Sequence, residues 1–236
     1  MRQSPNVAHV WAMRGSPTPG TVGGCVSVTL IRGDVTEAIA SAAGCTLVMA
    51  DPPWRYTQAK VRGNAQDQYD GMAMPEIAAV LDLAFDAAAD DSYLHCWATW
   101  PLLGEWMPHM ASTRWRYLTG GSWHKTGGLG IGFHVRGDSE PWFLLSKGTP
   151  HPSRMDLSNA WASRRGGSAH SEKPQWHLRA AIEAWTQPGD LILSLWSGMC
   201  PEGRAAQMCG RSLVGAELDP SRHADAVDKM SQGVLF

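Results

Sequence analysis

Four consecutive residues, Asp51-Pro52-Pro53-Trp54, hold the clearest chemistry in the sequence. A carboxylate, a backbone carbonyl held rigid by two prolines and an aromatic side chain in one short turn suit an amine attached to an aromatic base. Such a nitrogen is a poor nucleophile, because its lone pair is delocalised into the ring. Asp51 accepting one N–H and the Pro52 carbonyl accepting the other would localise that pair and turn the nitrogen towards an electrophile, while Trp54 stacks on the ring. Asp51, Pro52, Pro53 and Trp54 are therefore the expected catalytic residues. The bland alternative is a strand that happens to end in a proline-rich turn, and the position of the tetrapeptide directly after an apolar strand weighs against coincidence.

The elements that must position this turn follow from the hydrophobic pattern. Residues 46–50 read as a buried strand that the two prolines cannot continue, so Asp51 belongs at its carboxyl end. In open α/β sheets ligands bind at that end. Residues 26–31 predict a strand, followed by Gly33-Asp34 and an alanine-rich helix to Ala43. Helices over 75–89, 102–112 and 173–186 alternate with strands over 93–99, 115–123 and 141–145. A strand-helix-strand-helix unit starts at Leu191 and ends in a helix after Pro220. This alternation predicts an α/β protein with a mostly parallel sheet covered on both faces. Residues 1–24 read as a flexible lead-in, 25–236 as one domain, and 148–167 as a long functional loop.

Composition narrows the function classes. The formal net charge of -2 gives no global attraction to phosphate, so any contact with nucleic acid must rest on local basic patches. Arg55, Lys60 and Arg62 form one such patch beside the catalytic turn, and Arg164 and Arg165 belong to a second. No apolar run approaches the roughly 20 residues of a membrane span, and the amino terminus lacks the apolar core of a signal peptide. A cytoplasmic protein is expected. The five cysteines form no CxxC pair and the nine histidines show no ligand spacing, so no metal is expected. Most of the 12 tryptophans are expected in the core.

The stretch 48–54 resembles the signature of the DPPW-type adenine methyltransferases, a family that includes the eukaryotic messenger-RNA adenosine methyltransferase and many bacterial and phage DNA enzymes. Further blocks stand in the family's order: 69–77, Trp123-His124-Lys125, Glu140, His170-Ser-Glu-Lys-Pro174 and Val214-Gly-Ala-Glu-Leu-Asp219. The resemblance implies a Rossmann-like fold with a seven-stranded, mostly parallel sheet in circularly permuted order, catalytic block before cofactor block. It implies S-adenosyl-L-methionine as cofactor. Asp34, with Val35, would contact the cofactor's adenine; Lys173 its methionine carboxylate; Glu217, with Leu218, its ribose. Asp51, Trp196, Ser197 and Gly198 would complete that pocket. Trp54, Arg55, Tyr56, Lys60, Arg62, Lys125, Arg164 and Arg165 would face the substrate. Many relatives have an acidic residue where this chain has Ser194, and so hold the cofactor's amino group ionically. The expected activity is methylation of the exocyclic amine of adenine in DNA, with short or relaxed sequence specificity, in a bacterial cell or phage-infected host. An RNA substrate, or a supporting role beside an active partner, is the alternative, and a homodimer is the assembly considered.

Overall fold

Alternate residues of each central strand enter two different cores, which is why these strands read as unbroken apolar runs. In strand β3 (Cys45–Ala50), Leu47 and Met49 join one core while Val48 and Ala50 join the other. The computed structural model describes residues 7–14, 25–56, 71–127, 130, 134–164 and 172–232. On one face lie helices α1 (Val35–Ser41), α2 (Met74–Ala87) and α3 (Leu103–Ser112); on the other lie α4 (Gln175–Trp185), α5 (Pro201–Met208) and α6 (Pro220–Ser231). A sheet covered on both faces can keep its strands parallel, because the crossover helices supply the cover.

The remaining strands are β1 (Val7–Arg14), β2 (Cys25–Arg32), β4 (Ala88–Trp97), β5 (Arg116–Lys125), β6 (Ser139–Lys147), β7 (Ala160–Ser163), β8 (Leu191–Leu195) and β9 (Ser212–Glu217). The described residues form one sheet in the order β1-β2-β9-β8-β3-β4-β6-β5-β7. Neighbours from β2 to β4 are all parallel, whereas β1-β2, β4-β6 and β6-β5 are antiparallel. Strand β8 leads through α5 to β9 on one side, and β3 leads through α2 to β4 on the other. The order therefore reverses between β8 and β3. Connections leaving in opposite directions open a crevice above the carboxyl ends of these two strands.

Three expectations are corrected here. The sheet has nine strands among the described residues rather than seven, since β1 and β7 extend its edges. Residues 7–14 of the supposed lead-in pair along their whole length with β2, and Trp11 Nε1 donates to Ser231 Oγ of α6 at 3.3 Å. Within the supposed long loop, Ala160–Ser163 forms β7 beside β5. The tryptophans are mainly core residues, with Trp97, Trp106 and Trp123 fully buried. No described helix is long and apolar enough to cross a membrane, and the described residues hold no cluster of His, Cys, Asp and Glu suited to a metal.

Candidate active site

The switch-point crevice is a cleft of about 620 Å³. Its walls are the turn after β3 (Asp51, Pro52, Pro53, Trp54), the turn after β8 (Trp196, Ser197, Gly198), the ends of β2 and β9 (Asp34, Val35, Glu217, Leu218) and Lys173 ahead of α4. Asp34 and Glu217, 183 positions apart in the chain, thus share one cavity. All expected catalytic and cofactor residues line it.

Asp51 lies at the carboxyl end of β3, as the prolines required. The Pro53 carbonyl accepts a 2.7 Å hydrogen bond from Met72 N–H, which pins the turn, while the Pro52 carbonyl accepts none from the described residues. Asp51 Oδ2 accepts from Lys173 Nζ at 2.5 Å, and Oδ1 has no hydrogen-bond partner among the described residues. Lys173 is buried and lies 3.5 Å from Glu140 Oε2, whose other oxygen pairs with Lys125. Burial pushes the Asp51 carboxyl above its ordinary range, and Lys173 offsets this only in part. Glu140 moves down: burial opposes the shift, but Lys173 and Lys125 together outweigh it. Lys173 is likewise disfavoured as a cation by burial, yet Asp51 and Glu140 raise it overall, so it stays charged. Its ammonium also lies 5.1 Å from the Trp97 ring centroid, a cation–π contact from the opposite core.

The turn after β8 is held by backbone contacts. Glu217 Oε2 accepts from Gly198 N–H at 2.9 Å and Oε1 from Asp219 N–H at 2.8 Å, so this buried carboxylate ties β9 to the turn after β8. Trp196 and Cys200 adopt left-handed backbone conformations (φ 57° and 52°), uncommon for residues with a Cβ and concentrated at ligand sites. Gly215 leaves room for the Ser197 hydroxyl, which would lie 2.3 Å from a Cβ there and would have to rotate away. Ser194 is buried and faces inward, its hydroxyl 3.1 Å from that of Ser197. Asp34 caps α1, accepting from Thr36 N–H at 2.9 Å while Glu37 completes the capping box, and it does so on the cleft wall.

On the substrate side the expectations divide. Trp54 is 6% exposed, packed edge-on against Trp106 at 5.2 Å, so it lines the cleft as part of the core rather than as a free stacking platform. Tyr56 is more accessible and donates to Thr99 Oγ1 at 3.1 Å. Arg55 is exposed, with its Nε bonded to the Gly71 carbonyl. Arg164 is exposed as well. Lys125 is not a free phosphate ligand, since cross-strand register places Trp123 opposite Glu140 and brings the lysine into a half-buried pair with that carboxylate. Lys60, Arg62 and Arg165 lie outside the described residues.

Two acids that sequence reasoning did not assign to the site also line the cleft. Glu172 pairs with Arg204 and with Lys229 at 3.0 Å. Glu202, in the first turn of α5, is buried with its Oε2 unpartnered, and burial pushes its carboxyl up to about 7. An acid after a helix-opening proline reads in a sequence as an exposed first-turn residue, so nothing marked Glu202 out.

The fold belongs to the Rossmann-like class with a switch-point cleft, and solved structures share it. M1.HpyAVI in complex with SAM matches with TM-score 0.66 at 12% identity, over 86% of this chain and 99% of that one. The PvuII DNA methyltransferase, cytosine-N4-specific, matches with TM-score 0.70 at 14% identity, over 89% of this chain and 88% of that one. TTHA0409 of Thermus thermophilus, complexed with S-adenosyl-L-methionine, matches with TM-score 0.64 at 18% identity, over 85% and 91%. Neither a protein-family model nor a curated protein matches the sequence.

Proposed function

We propose that this chain is an S-adenosylmethionine-dependent methyltransferase acting on the exocyclic amine of adenine in DNA. The observation behind this reading is Asp51 at the switch-point cleft beside the Pro52 carbonyl, which accepts no hydrogen bond from the described residues, in a fold shared with structures that hold this cofactor. Asp34, Val35, Glu217 and Leu218 would take the adenosine end, and Trp196 to Gly198 and Lys173 the methionine end. When bound, the cofactor supplies an electrophilic methyl group. Asp51 Oδ1 and the Pro52 carbonyl would each accept one N–H of the base amine, holding its lone pair towards the cofactor pocket. Lys173 keeps the carboxylate oriented through Oδ2. A carboxyl raised by burial is a strong acceptor, which suits that task. Trp54 and Tyr56 would wall the base slot, and a duplex would have to release its target base from the stack. With a net charge of -2, backbone contact would come from local arginines such as Arg55 and Arg164.

The test is incubation of the chain with labelled cofactor and matched single- and double-stranded DNA and RNA, read by nucleoside mass spectrometry. N6-methyladenine in DNA, at many short sequence contexts, is the expected product. The cytosine-N4 specificity of the PvuII protein favours one second reading, since both amines present the same two N–H groups. N4-methylcytosine as the sole product would establish that reading and overturn the first.

A further inference from the structure

The four carboxylates grouped around Lys173 are unequally compensated. Asp51 pairs with Lys173, Glu140 with Lys125 and Lys173, and Glu172 with Arg204 and Lys229. Glu202 makes no ion pair among the described residues; it is 6% exposed and its Oε2 has no hydrogen-bond partner. It lines the cleft beside the turn after β8. The hydrogen bond that its carboxyl accepts from its own backbone N–H offsets burial only in part. A buried carboxylate oxygen without a partner is destabilising, and a ligand that completes it would relieve that cost.

The ligand group that would complete it is a cation. Resting on the methyltransferase reading above, the methionine end of the cofactor carries one carboxylate and one ammonium. Lys173 answers the carboxylate: its ammonium has three N–H groups, of which Asp51 and Glu140 engage two. Ser194 offers the ammonium nothing, being turned inward onto Ser197. Asp51 has one oxygen on Lys173 and the other assigned to the base amine. We propose that Glu202 binds the ammonium of the cofactor's methionine moiety, so that the acidic contact absent at Ser194 is supplied from the first turn of α5. The order β8, turn, α5 makes this substitution possible, because Ser194 and Glu202 flank the same turn and differ only in which end of it the carboxylate comes from.

Calorimetric titration of the whole chain with three ligands tests the assignment: S-adenosylhomocysteine, its analogue lacking the amine, and 5′-methylthioadenosine, which lacks the entire amino-acid end. The wild type should bind S-adenosylhomocysteine more tightly than the deaminated analogue. Glu202→Gln should weaken S-adenosylhomocysteine ten-fold or more, the range of a charged hydrogen bond, abolish that preference, and leave 5′-methylthioadenosine within two-fold. Equal weakening of all three ligands, or of none, overturns the proposal. A second measurement needs only the wild type. The charged groups facing Glu202 are Asp51 after β3 and Glu172 and Lys173 ahead of α4. At pH 7, capture of an ammonium should expel the proton that Glu202 partly holds, so the binding enthalpy of S-adenosylhomocysteine should vary with buffer ionisation enthalpy while that of 5′-methylthioadenosine does not. Absence of proton release overturns the proposal even if the variant fails to fold. A wild type that binds neither adenosine ligand overturns the methyltransferase reading itself, and the role of Glu202 with it.

Discussion

In the proposed mechanism Asp51 uses one oxygen on Lys173 and the other on the substrate amine, and its isosteric replacement separates the two roles. Asp51→Asn retains the shape of the turn and leaves Lys173 its contact with Glu140. Turnover should fall at least 100-fold, while S-adenosylhomocysteine affinity stays within a few-fold; steady-state kinetics and calorimetry check the pair, and retained turnover would falsify the mechanism. Glu202 makes the opposite bargain between stability and ligand binding. Its folded pKa of about 7 lies above the ordinary 4.5, so the folded state holds a proton that the unfolded state releases. Folding stability from this group is therefore present below about 4.5 and lost as pH rises through about 7. Glu202→Gln removes that loss. In the absence of ligand the variant should melt a few degrees above the wild type at pH 8, and the two should converge near pH 4.5; a constant offset across that range would show that Glu202 does not titrate in the folded protein.

At the scale of elements, the turn after β8 is the part of the site with least tolerance. Gly215 on β9 leaves room for Ser197, whose hydroxyl would meet an added Cβ at 2.3 Å, and Glu217 two residues later holds Gly198. Gly215→Ala should turn the Ser197 hydroxyl away from Ser194, weakening S-adenosylhomocysteine binding a few-fold with little effect on melting temperature, as calorimetry and thermal unfolding would show. The central strands were legible because burial on both faces leaves an uninterrupted apolar signature, as in β3 and β8. The edge strand β1 was not, because Val7, Ala8, Val10 and Ala12 are exposed and no alternation betrays them. Four-residue β7 is too short to show a period, and only Trp161 anchors it in the core. In the site, Asp51 announced itself through two prolines that end a strand. The Lys125–Glu140 pair depended on antiparallel register between β5 and β6, and the unpartnered Glu202 on packing around α5; neither quantity is written in local spacing.

At the scale of the whole molecule, the two cores differ in chemistry. The core under α4 holds His95 among Trp97, Trp142, Trp161 and Trp185, with ring centroids 5.1–6.0 Å away, and His177 beside Trp123 and Trp161. Both imidazoles are fully buried with no described hydrogen-bond partner on either ring nitrogen. Burial lowers His95 to about 3, helped by Lys173, and His177 to about 4. Between pH 6.5 and about 4 the unfolded chain therefore binds protons that the folded chain refuses, and stability contributed by these groups falls as pH falls. Glu202 acts in the reverse sense from about 4.5 to 7, so the two effects partly cancel in that window and the histidines dominate below it. His95→Phe, which removes one titrating group from an apolar site of similar shape, should gain in melting temperature relative to the wild type as pH is lowered from 6.5 to 4, measured by scanning calorimetry without ligand. Parallel curves for the two proteins would mean that His95 takes up its proton in the folded chain as readily as in the unfolded one, and that the ring cluster becomes charged at low pH rather than staying neutral.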